Sequence, residues 1–63
     1  MTEFQKRVVV EKEELDLKLE RLKLFFNNEI FDKLKSDEKE RLSRQLIAMN
    51  AYSDILGERI SNF

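Results

Sequence analysis

The side chains of this 63-residue chain best placed to do chemistry lie in its C-terminal third. Drawn on a helical wheel, Arg41, Arg44, Gln45, Ala48, Tyr52, Ile55 and Arg59 fill one continuous sector. From residue 41 onward that sector contains no Asp or Glu, because Asp54 and Glu58 point elsewhere. A guanidinium forks onto phosphate oxygens through parallel N–H donors, and a phenol ring stacks on a planar base. Arg41, Arg44, Gln45, Tyr52 and Arg59 are therefore the candidate residues for holding a small anionic ligand. The same composition also suits a protein interface, where Tyr and Arg are enriched. Both readings stay open at this point.

Other chemistry is poorly provided for. The chain has no Cys, His, Trp or Pro and a single Gly. Zinc ribbons, disulfide scaffolds, thiol or imidazole catalysis and Gly-rich phosphate loops are thereby excluded. Ser36, Ser43, Ser53 and Ser61 have no His to activate them. The thirteen carboxylates mostly alternate with basic residues at helical spacing, as in Glu40 and Arg44, and read as a solvated face. The expectation is a protein that is not an enzyme and uses neither cofactor nor metal. Twelve basic against thirteen acidic residues give a net charge of −1, which argues against a DNA or RNA polymer as partner. The charge is uneven: residues 1–40 carry a balance of −2 and residues 41–63 a balance of +1, supplied by arginine alone. Apolar runs reach only three residues (Val8 to Val10, Leu24 to Phe26), so neither a transmembrane helix nor a signal peptide is expected. A cytoplasmic location follows.

Three helical elements must position these residues. Thr2-Glu3-Phe4-Gln5 fits a capping box, which opens a helix over about residues 3–26. Phe4, Val8, Leu15, Leu19, Leu22 and Phe26 lie within about 60° of one another at 100° per residue, and the stripe is interrupted near Glu11 and Lys12. Val10, Leu17 and Leu24 recur on nearly the opposite side, a second apolar face that an isolated helix pair does not need. Asn27-Asn28 breaks the pattern, and a short helix over about 29–34 is expected to plug one end with Ile30, Phe31 and Leu34. Ser36 is the expected N-cap of a helix over about 37–60. There Leu42, Leu46, Met49, Ser53, Leu56, Ile60 and Phe63 form a heptad seam with one polar member. Gly57 reads either as a fraying point or as a place of close approach, helped by small Ser53 one turn earlier.

The fold class is all-α: one domain, residues 1–63, in which an antiparallel helical hairpin with a short linking helix assembles as a homo-oligomer. A chain under about 70–80 residues gains little from a single core, and without disulfides or metal, association is the staple left. Val10, Leu17, Leu24, Ser53 and Gly57 are the expected oligomer interface.

Two strings carry a resemblance. Arg44-Gln45-Leu46 through Met49, then Tyr52 to Ile60, resembles the C-terminal signature of short helical proteins from phage and prophage early regions; Met1 to Val9 resembles their start. In layout the chain is also similar to the helical hairpin of phage anti-defence sponges, multimers that sequester the cyclic nucleotide messengers of CBASS and Thoeris immunity. It lacks the Trp after Met that marks those hairpins, so the likeness transfers layout and no binding residue. The resemblance implies a non-enzymatic sponge holding a cyclic nucleotide at subunit interfaces. A small interaction protein that inhibits a host protein through its spare apolar face is the alternative, and a virion assembly accessory is a third.

Overall fold

A computed structural model describes all residues from Met1 to Phe63. It is all-helical and has no strands: α1 (Glu3–Phe25), α2 (Glu29–Asp32) and α3 (Ser36–Ser61). The capping box forms as the sequence leads one to expect. Thr2 Oγ1 accepts from the Gln5 amide at 3.1 Å, and Gln5 Oε1 accepts from the Thr2 amide at 3.0 Å. Two of the four orphan donors at the start of α1 are satisfied in this way.

The connection between the long helices departs from expectation at two places. The Lys33 and Leu34 amides bond to the carbonyls of Ile30 and Phe31, three residues back, so α2 tightens and ends at Asp32. Asn28 caps it, its side chain accepting from the Ile30 amide at 2.8 Å. Ser36 is not the N-cap of α3. Lys35 takes that place with extended dihedrals and no side-chain bond, because the first helical bond runs from the Lys39 amide to the Lys35 carbonyl. The carboxylate of Asp37 partly substitutes by accepting from the Glu38 amide at 2.9 Å.

α1 and α3 pack side by side. Ser53 meets Lys12, while Arg59 lies over the ring of Phe4, so α3 runs back along α1. Their shared face is narrow. Only Val8, Leu15, Leu19 and Leu56 are buried apolar residues, and Met49 and Ile60 pack against the cluster of Val8, Leu15 and Leu56. At the connecting end an aromatic cluster closes the gap. Phe31 stacks on Phe26 at 4.6 Å between ring centroids and meets Phe25 edge-on at 5.9 Å. Ile30 takes no part in this plug and points to solvent, since α2 is too short to turn both Ile30 and Phe31 inward. Phe4 and Phe63, at the two ends of their stripes, are also exposed. The result is a rod of 45 × 15 × 13 Å.

Leu56, with no accessible surface, is the centre of what core there is. Leu56→Ala should cost about 2–5 kcal/mol in urea unfolding, whereas Ile30→Ala should change stability by less than about 0.5 kcal/mol.

Candidate functional site

The arginine sector forms a stripe along α3 and not a pocket. At 1.5 Å per residue, Arg41 and Arg59 are about 27 Å apart along the helix, and Arg44 and Arg59 about 22 Å. One small ligand cannot touch both ends within a single chain. The guanidinium groups also differ in their surroundings. Arg41 is already engaged, with Nε 2.9 Å from Glu38 Oε1 and a terminal nitrogen 3.5 Å from Asp37 Oδ2. Arg44 is only loosely held, 4.0 Å from Glu40 Oε1. Arg59 lies over the Phe4 ring, 5.8 Å from its centroid, with no carboxylate partner. Tyr52 stands half-exposed, and Gln45 donates to Met49 Sδ at 3.8 Å. The cations free to meet an anion are thus Arg44 and Arg59, with Tyr52 between them along the helix.

The chain's own concavities do not suit an anion. One open cleft of about 380 Å³ is lined by Asp16, Leu19, Glu20, Lys23, Asn50 and Ser53, with two carboxylates against one ammonium. Another, about 440 Å³, surrounds Val10 with Glu3, Glu11 and Glu14 against Lys6 and Arg7. In both, negative charge outnumbers positive.

Ser53 and Gly57 face α1 of the same chain and not an outer surface. Lys12 Nζ donates to Ser53 Oγ at 2.7 Å and to the Ser53 carbonyl at 3.3 Å. Ser53 Oγ donates in turn to Asp16 Oδ1 at 2.5 Å, and Lys12 Nζ sits 3.2 Å from Asp16 Oδ2. The Ser53 hydroxyl bond, joined by the Lys12 ammonium, holds the Asp16 carboxyl below its ordinary range. Both halves of this knot are visible separately in the sequence, as the break in one stripe at Lys12 and the polar member of the other at Ser53. Nothing in the spacing showed that they were partners, because that depends on the register of two helices. Gly57 is where the Lys12 stem crosses α3. A Cβ there would lie 3.6 Å from Lys12 Cε, ordinary contact, so the glycine is not needed for close approach. Val10, Leu17 and Leu24 do lie on the outer side of α1, each about half-exposed or more.

The Sequestin family profile matches residues 2–62. The chain belongs to the Sequestin family. The match runs from the cap residue Thr2 through Asn62, and so takes in all three helices, the Lys12–Ser53–Asp16 knot and the whole arginine stripe. Comparison with curated proteins and with solved structures found no match. No helix of this Sequestin is long and apolar enough to cross a membrane.

Two outcomes follow from the knot. A carboxyl held low in the folded state contributes stability above its unfolded value of about 3.9, and that contribution is lost as the pH falls through the folded value. The stability difference between the parent and Asp16→Asn, read by urea unfolding at a series of pH values, should be full at pH 7 and close below about pH 4. Gly57→Ala should stabilise α3 by about 0.5–1 kcal/mol, raising the melting temperature by several degrees.

Proposed function

We propose that this Sequestin is a non-enzymatic binding protein that captures a small anionic ligand, with cyclic nucleotide messengers as the ligand class, at interfaces between copies of itself. The observation that carries this is an arginine and tyrosine stripe that contains no Asp or Glu from residue 41 onward, on a protein whose family name is compatible with sequestration. Capture without turnover asks for no activated nucleophile and no tuned acid–base pair. The Asp16 carboxyl, held low by Ser53 and Lys12, serves the contact between α1 and α3. Arg44 and Arg59 would meet phosphate while Tyr52 stacks on a base, with Arg41 and Gln45 alongside. In this reading the protein is a phage-type anti-defence factor working in the host cytoplasm.

Assembly is part of the proposal. Residues needed on one ligand are too far apart in one chain, and large apolar side chains remain on the outer faces of both long helices. The exposed Val10, Leu17 and Leu24 face also favours a second reading, a small interaction protein that inhibits a host protein.

Calorimetry against a panel of cyclic di- and trinucleotides separates the two. Binding heat should be seen with at least one nucleotide, the ligand should be recovered unchanged, and Arg44→Ala or Arg59→Ala should weaken binding by about 10- to 100-fold. No heat at high micromolar ligand would remove the capture reading and leave host-protein binding in its place.

A further inference from the structure

The face of α3 turned away from α1 is self-complementary. Arg44, Ile47, Ala51, Ile55 and Glu58 follow one another at spacings of 3, 4, 4 and 3, symmetric about Ala51. At 100° per residue they fall within a sector of about 80°, on the side opposite Leu56 and Ser53. All five are exposed, Ile47 at 68% and Ile55 at 53%. Arg44 is only loosely held by Glu40, and Glu58 makes no ion pair.

We infer that this face pairs with the same face of a second copy, two α3 helices meeting antiparallel with the two-fold axis passing at Ala51. That register sets Ile47 against Ile55 of the other copy and Arg44 against its Glu58, on both sides of the axis. Ala51 at the crossing lets the helix axes approach to about 8 Å, the near end of the usual range. Apolar residues at the centre and an oppositely charged pair at each end give an isologous contact its required self-complementarity. The chain also exposes enough surplus surface for an interface of this kind. The chain exposes 4984 Å², whereas a compact monomer of its 7.6 kDa exposes about 4,300 Å². The excess, about 700 Å², is close to the share each partner of a standard interface buries, about 800 Å².

The pairing also completes the proposed binding face, and this consequence rests on the capture reading above. A two-fold axis normal to the plane of the two helices keeps the same flank of each α3 on the same side. Arg59 of the other copy then comes level with Arg44, which within one chain is about 22 Å away along the helix. The two Tyr52 side chains flank the axis, and Asp54 lies on the opposite flank. One side of the pair is thus lined by Arg59 and Tyr52 of both copies, with Arg44 beside them and paired to Glu58.

The chain has no natural cysteine, so a single introduced thiol reports the geometry cleanly. Under mild oxidation at micromolar protein, Ala51→Cys should convert to a disulfide-linked dimer, while Leu17→Cys, on the outer face of α1, should link far more slowly. In sedimentation, Arg44→Glu should raise the dimer dissociation constant at least about tenfold, and Arg44→Glu with Glu58→Arg should bring it back to within about threefold. Circular dichroism confirms that each variant is folded. Faster linking of Leu17→Cys than of Ala51→Cys, failure of the charge exchange to restore the dimer, or a parent protein that sediments as a single chain at tens of micromolar would each overturn the pairing. A disulfide-linked Ala51→Cys dimer that binds no cyclic nucleotide would uphold the pairing and count against ligand capture alone.

Discussion

Two helices can bury against each other only the stripe they share, and in this chain that stripe is thin. Val8, Leu15 and Leu19 from one side and Leu56 from the other supply nearly all the sequestered apolar surface. An apolar stripe of regular spacing does not by itself fix how far one helix is slid along the other. The Lys12–Ser53–Asp16 knot does. Ser53 is nearly inaccessible, so a slide of one turn would leave its hydroxyl without Asp16 and the Lys12 ammonium without its acceptors. An unmet buried polar group costs about 1–3 kcal/mol. Register, the position of Gly57 against the Lys12 stem, and which residues of α3 remain outside all depend on this contact.

The sequence made the elements legible because each one is written in local chemistry. The capping box at Thr2 and Gln5, the asparagines after Phe26 and the heptad of α3 act within a few residues of themselves, and the structure follows them closely. Less local features were read less well. Ser36 has the chemistry of a cap, but the turn after α2 delays the first helical dihedrals by too little to leave it outside the helix. Ile30 has the chemistry of a plug, yet a four-residue helix turns only one side inward, and Phe31, with two aromatic partners, takes it. Ser53 and Gly57 are expected at an interface between copies because their small size fits close approach. Which body does the approaching is a question of register, and here it is the side chain of Lys12 from the same chain.

The arginine stripe shows a similar limit. A helical wheel projects along the axis and so reports that Arg41, Arg44, Tyr52 and Arg59 share a side, but it discards the distance between them. Restoring that dimension separates the arginines by several turns. It also divides them by electrostatic state: Arg41 is neutralised by Asp37 and Glu38 at the start of α3, where the helix dipole favours acidic residues in any case. Arg44 and Arg59 keep most of their charge for another partner. A weak, wheel-level signal for anion binding thus becomes a statement about two cations and the ring between them.

A protein with so little interior must place stability and binding on the same surfaces. Side chains that would line the core of a larger domain, such as Ile47 and Ile55, stand outside, next to the residues that would meet a ligand. An anion held at this face by residues of both copies would bind the assembled state and not the separate chains. By mass action, each tenfold excess of ligand over its dissociation constant then favours assembly by about a further 1.4 kcal/mol. Assembly in turn would cover apolar surface that the rod alone leaves in water. Ligand capture and folding stability would then be coupled through one helix face, with no catalytic group, metal or covalent staple required for either.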